Sequence, residues 1–153
     1  MPDHLIFMMG QYEARFPTDR CYAKKNHTWA QRQSGNVWRF GFSAYAVRLL
    51  QDVYFLDWHI EADTNVTEGQ EIGFIESKKA ESDLFAPMTG RLVQFNPALL
   101  GGPSMINVDN YGAGWLFEIE GSDKNLMTPD EYLRHLDAVW EITQRTIKGQ
   151  MNE

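Results

Sequence analysis

The sequence predicts one mainly β domain, a compact sandwich or barrel closed by a single helix at its C-terminal end. Three observations predict it. Short runs rich in β-branched and aromatic residues recur at 37–42, 52–58, 71–76, 91–95 and 115–120. Turn signals separate them: Ser34-Gly35-Asn36, Thr67-Glu68-Gly69-Gln70, Pro87-Met88-Thr89-Gly90, Gly101-Gly102-Pro103 and Tyr111-Gly112-Ala113-Gly114. The last stretch changes character and carries a helical stripe. Strands this short and closely spaced do not suit βαβ units, which need a crossover helix between parallel strands.

The elements follow in order. Residues 1–20 form an N-terminal extension whose apolar run, Leu5-Ile6-Phe7-Met8-Met9, is too short to span a membrane and follows Asp3 and His4 rather than a basic leader. Cys21 and Tyr22 open the first strand. Residues 43–50 have a short helical pattern through Tyr45 and Leu49. Thr128-Pro129-Asp130-Glu131 combines a threonine cap, proline at the first helical position and glutamate three after the threonine, so a helix starts there. Leu133, Leu136, Trp140, Thr143 and Ile147 share one stripe and Gly149 is placed to end it. The stripe packs on the β domain, with a partner surface through Trp140 and Ile147 as the alternative.

Composition narrows the function. A chain of 153 residues that is 43% apolar and 13% aromatic can bury one core. Its 14 basic against 21 acidic residues give a net charge of −7, which repels a phosphate backbone and argues against nucleic-acid binding. Cys21 is the only cysteine, so no intrachain disulfide, zinc ribbon or CxxC redox pair can form. These features predict a soluble protein of a reducing, cytoplasmic compartment with no membrane association. His4, His27, His59 and His135 show no ligand spacing and are expected to be structural or exposed. Cys21 is expected to be a small core residue. No constellation for catalysis or metal binding is visible, and the expectation is a protein that is not an enzyme.

One segment does carry chemistry. Lys78 and Lys79 stand between a strand ending Gly73-Phe74-Ile75-Glu76 and another starting near Asp83-Leu84-Phe85-Ala86, at the exposed tip of a hairpin-like turn. A lysine pair there serves either as a solvated loop tip or as an amine that a modifying enzyme can reach. Acylation would remove its charge and lengthen the side chain into a swinging arm. Glu76, Glu81 and Asp83 around it either keep the edge soluble or steer basic partner surfaces.

Residues 75–83, Ile-Glu-Ser-Lys-Lys-Ala-Glu-Ser-Asp, followed by Ala86-Pro87-Met88-Thr89-Gly90, resemble the lipoyl-attachment segment of the glycine cleavage system H-protein family. The register selects Lys79, because Glu76 lies three residues before it and Gly90 eleven after, as in the family. The resemblance extends through Tyr22, His27-Thr28-Trp29, Gly41-Phe42-Ser43-Ala44-Tyr45-Ala46, Asn96-Pro97-Ala98-Leu99, and Asn107, Tyr111, Gly114 and Trp115, covering roughly residues 20–135. It implies a lipoyl/biotinyl-type flattened β-barrel, or barrel-sandwich hybrid, with short helices and a C-terminal helix. The implied layout is an extension at 1–20, a lipoyl-carrier domain at 21–127, and a helix at 128–153 packed on that domain.

The resemblance also implies lipoate in covalent amide linkage at Lys79, with Glu76, Ser77 and Gly90 as recognition and presentation residues. The implied function is to shuttle a methylamine group between glycine decarboxylase, aminomethyltransferase and dihydrolipoamide dehydrogenase, after loading by a lipoate ligase or lipoyltransferase. Two alternatives accompany it: an H-like lipoate-binding protein carrying sulfur among sulfur-oxidation enzymes of a heterodisulfide-reductase-like pathway, and an unlipoylated interaction module. A biotin carrier would read A-M-K-M around the lysine, which Ser77-Lys78-Lys79-Ala80 does not. Departures from the family pattern include the residues 57–61, Asp-Trp-His-Ile-Glu, in place of an E-L-P-like run, and Gln51 where glycine is common.

Overall fold

The structure is a computed structural model that describes residues 3–152, with side chains described through residue 144. Among the described residues eleven strands form three sheets. The first sheet is a hairpin of β1 (His4–Met9) and β2 (Tyr12–Pro17), absent from the sequence expectation. The second has six strands, β3 (Cys21–Ala23), β4 (Thr28–Ser34), β5 (Val37–Phe42), β7 (Thr64–Val66), β10 (Gly90–Phe95) and β11 (Phe117–Gly121), in the spatial order β3-β4-β5-β11-β10-β7. The third has β6 (Val53–Trp58), β8 (Glu71–Ser77) and β9 (Glu81–Phe85), in the order β6-β8-β9. Every strand pairing among the described residues is antiparallel, which short connections allow. The helices are α1 (Ala44–Leu50), α2 (Met105–Val108) and α3 (Pro129–Asn152).

Period-two alternation sends each strand's apolar face inward. Phe40, Phe117, Leu92 and Ile119 of the six-stranded sheet meet Ile72, Ile75 and Leu84 of the three-stranded one in the main core. Trp58 crosses between the layers, stacked on Phe95 at 4.5 Å and edge-on to Phe117 at 5.7 Å. Aromatic burial of this kind dominates core energetics.

A second core lies on the other side of β3 and β4. There the N-terminal hairpin contributes Phe7, Met9, Ala14 and Phe16, and α3 contributes Tyr132 and Leu136, around Tyr22, Trp29, Tyr45 and Trp115. The β1–β2 hairpin is therefore packed into this core rather than appended to the domain. Phe16 is fully buried, with edge contacts to Tyr22 at 5.9 Å and Tyr132 at 5.5 Å.

Helix α3 starts as its sequence requires. Thr128 N donates to Glu131 Oε1 at 2.9 Å and Glu131 N donates to Thr128 Oγ1 at 3.2 Å, a reciprocal capping box. Trp140 packs against Phe7 and Tyr45 and so belongs to the second core. The helix does not end at Gly149 but runs to Asn152, because one interior glycine costs only about 1 kcal/mol relative to alanine and no proline follows to enforce a stop. The side chain of Ile147 lies outside the described residues.

Candidate functional site: a lysine turn held on a backbone ledge

Strands β8 and β9 join through a turn with Lys78 and Lys79 at its apex, both exposed. Two-residue hairpin loops are intrinsically favoured when their residues take positive φ. Neither lysine does, so this turn relies on outside support. Ser77 supplies part of it. Its buried hydroxyl donates to Ala80 O at 2.9 Å and accepts from Ala80 N at 3.1 Å, while Ser77 N donates to the same carbonyl at 2.9 Å.

The rest comes from the segment after α1. Lys78 N donates to Asp52 O at 2.8 Å and Lys79 N to Leu50 O at 3.3 Å. Between those two carbonyls sits Gln51, with φ 59° and ψ −138°, a region that residues other than glycine rarely adopt. Asn107 clamps it from behind, donating from Nδ2 to Gln51 O at 2.6 Å and accepting at Oδ1 from Val53 N at 2.9 Å. The lysine turn thus rests on a ledge of main-chain carbonyls whose shape a strained residue and an asparagine side chain fix.

The outer edge of β9 is held as well. Asn26 donates to Asp83 O at 2.9 Å and accepts from Phe85 N at 2.9 Å, so its carboxamide stands in for a missing neighbour strand. Asn26 and His27 both adopt positive φ, at 56° and 52°. Beside them a cleft of about 330 Å³ opens between α1 and β9. Leu49, Leu50, Ile75 and Leu84 form its apolar walls, and Ala80, Glu81 and Ser82 bring it up to the lysine turn. Burial, and to a lesser degree the neighbouring His135, lower the pKa of His27 to about 4, so its ring is neutral at pH 7. Among the cleft-lining residues Glu81 is the one formal charge.

The predicted site residues do not all meet. Lys79 and Ser77 share the turn, and Glu76 sits at its base, opposite Glu81 in the β8–β9 ladder and opposite Phe55 of β6. Gly90 opens β10, in the six-stranded sheet, five residues past the far end of β9. A Cβ there would collide with Glu120 O, so Gly90 serves the close approach of β10 to β11. Cys21 lies in β3 outside the cleft, and burial, then Asp123 and Glu131, raise its thiol pKa, making it a poor nucleophile. Sequence reasoning missed Asn26, the carbonyls of Leu50 and Asp52, and the clamping role of Asn107. Gln51 at a position where glycine is common was the one available hint of the ledge.

An antiparallel two-layer β domain holding a lysine turn at its rim defines a class: the fold is a lipoyl-type barrel-sandwich. The Glycine cleavage H-protein family matches residues 20–139, which leaves the β1–β2 hairpin outside the matched range. The glycine cleavage system H protein of Myxococcus xanthus is 42% identical over 107 residues, covering 70% of this chain and 81% of the relative. That of Rubrobacter xylanophilus is 37% identical over 125 residues, covering 81% and 97%. The crystal structure of a glycine cleavage system H protein from Mycobacterium marinum superposes with a TM-score of 0.66 at 33% identity, covering 78% of this chain and 98% of that one. The chain belongs to the glycine cleavage H-protein family. Among the described residues no helix is long and apolar enough to cross a membrane.

Proposed function

We propose that the chain is the lipoyl carrier of a glycine cleavage system, with lipoate in amide linkage to Nζ of Lys79. Family membership supports the carrier class. One observation carries the choice of residue: Lys79 stands exposed at the apex of a turn whose backbone is fixed on both sides, next to Ala80 at the mouth of an apolar cleft. Lys79 makes no ion pair among the described residues, so nothing in the turn competes for its amine. An acyl arm rooted there fits the site.

When bound, lipoate supplies a dithiolane that cycles between disulfide and dithiol while a one-carbon amine unit is carried. The protein's own residues position and shelter. The Ser77 lock and the Leu50–Asp52 ledge fix where the arm begins, and Leu49, Leu50, Ile75 and Leu84 offer an apolar wall within its sweep. Neutral His27 adds no positive charge to the cleft, while Glu81 adds a negative one, a combination that suits an amine cargo. The enzymes served are those that decarboxylate glycine, take the aminomethyl unit onward and reoxidise the dithiol.

Intact mass and peptide mapping after expression with lipoate and a lipoate ligase tests the assignment. A single lipoyl increment on Lys79, retained in Lys78→Ala and lost in Lys79→Arg, is expected. An increment on Lys78, or none where a control lipoyl domain is modified, overturns it.

A further inference from the structure

The outward face of the three-stranded sheet combines carboxylates with exposed aromatic rings. Two ladder rows cross it. In one, Asp57 of β6 stands opposite Phe74 of β8, which stands opposite Asp83 of β9. In the other, Phe55 faces Glu76, which faces Glu81. Each row carries two carboxylates and an aromatic ring; Glu76 and Glu81 stand directly opposite one another, an arrangement that is destabilising for like charges, and Asp57 has the His59 ring 3.4 Å away. Beside them the ladder shifts register between Val53 and Phe55, a bulge that leaves Tyr54 as an extra residue. The result is two consecutive aromatic side chains in solvent, Tyr54 at 61% exposure and Phe55 at 45%. Keeping a sheet edge soluble accounts for the carboxylates and not for the rings.

The position of this face selects its occupant. Val53 pairs with Ser77 and Phe55 with Glu76, so the bulge lies directly against the base of the lysine turn. An unmodified lysine reaches no further than its four-carbon stem. Any enzyme that acylates it must bring its active site onto the turn and cover the adjoining surface, whereas enzymes acting later are reached by the extended arm. In the acylation the Lys79 amine attacks the acyl carbon of an activated donor, an adenylate or thioester. The amide bond forms, the acyl–oxygen or acyl–sulfur bond breaks with its electron pair leaving on the donor, and the amine's proton passes to solvent.

We propose that Tyr54, Phe55 and Phe74, framed by Asp57, Glu81 and Asp83, form the docking face for the acylating enzyme, whose matching surface is an apolar seat rimmed by lysine and arginine. This rests on the carrier assignment for Lys79. Aromatic anchors at the centre of an interface give affinity, and a charged rim chiefly sets encounter rate and register.

The test measures acylation of the purified, unmodified full chain by a lipoate–protein ligase with lipoate and ATP, varying the concentration of the acceptor. Tyr54→Ser combined with Phe55→Ser is expected to raise KM for the acceptor about tenfold or more with kcat little changed, the loss expected from removing one or two anchors. Asp57→Lys with Asp83→Lys should raise KM as well, and rising salt should raise it in the wild type but not in that variant. Near-UV circular dichroism checks folding. Tyr54→Ser alone, at a side chain that is 61% exposed, gives the same direction of effect if the double variant is unstable. Wild-type acylation with unchanged KM in all variants overturns the docking face and leaves the carrier assignment standing. Absence of wild-type acylation overturns the carrier assignment and this inference with it.

Discussion

The backbone amide of Lys79 lies 3.3 Å from the carbonyl of Leu50, joining the turn between β8 and β9 to the end of helix α1. The bond ties together residues 29 apart in sequence. Leu50 also lines the cleft beside the turn, so the ledge that holds the lysine backbone is continuous with the wall next to it. A carrier that presents an amine to a foreign active site benefits from such stiffness, because a mobile acceptor would lose entropy on docking.

Ser77→Ala removes the hydroxyl that both donates to and accepts from Ala80. The Ala80 N–H and half of the pairing at its carbonyl lose their partner, at a cost of about 1–2 kcal/mol. For a chain of this size that lowers Tm by roughly 2–8 °C in a thermal melt. Hydrogen exchange at Lys78 and Lys79 should quicken beyond that global change. Unaltered exchange at the two lysine amides would show that the ledge alone holds the turn.

Gln51→Gly replaces a residue held at φ 59° and ψ −138° with the one residue that adopts that region freely. The relief of about 1–3 kcal/mol outweighs the extra chain entropy of glycine, so the midpoint of chemical denaturation should rise by the equivalent of about 1 kcal/mol. Asn107→Ala should act the other way, because Gln51 O and Val53 N both lose their side-chain partner. A Gln51→Gly variant less stable than wild type would mean that the glutamine side chain contributes more than its backbone costs.

Gly90→Ala tests whether that glycine acts in packing or in recognition. A methyl group there meets the main chain at Glu120 O, which cannot rotate away, so destabilisation of about 1–3 kcal/mol or more is expected. At a temperature where the variant remains folded, the KM and kcat for modification of Lys79 should match wild type. A changed KM in the folded variant would place Gly90 in the recognition surface.

The parts of the fold legible in sequence were those with local signals. Alternation at 37–42 and the run at 71–76 announced β5 and β8, and Thr128-Pro129-Asp130-Glu131 announced α3. The hairpin β1–β2 was not legible, because its run of five apolar residues hides the alternation of buried Phe7 and Met9 with exposed Ile6 and Met8. The lysine turn was visible as a motif, but its support was not. Leu50 and Asp52 act through carbonyls, which every residue has, and Asn26 acts across a separation of 57 residues. Exposure of Tyr54 and Phe55 depends on a bulge, which is a property of two strands together.

His27 gives the protein a pH dependence whose sign follows from its burial. Its pKa falls to about 4 in the folded state from an ordinary 6.5, mainly by desolvation and further by His135. The Tyr132 hydroxyl, 2.9 Å from Nδ1, and the Ser43 hydroxyl, 3.0 Å from that of Tyr132, complete its polar surroundings. Above pH 6.5 the ring is neutral in both states and folding stability is unaffected by it. As pH falls from 6.5 towards 4 the unfolded chain takes up a proton that the folded one refuses, so stability is lost, by about 3 kcal/mol at most. His135, whose pKa is also lowered, by burial and then by Lys24, adds a smaller loss of the same sign because it is more exposed. Urea denaturation at pH 7.5 and pH 4.5 should show this fall, and His27→Gln should be less stable at pH 7.5 yet flatter with pH. An equally steep pH dependence in His27→Gln would assign the acid sensitivity to other groups.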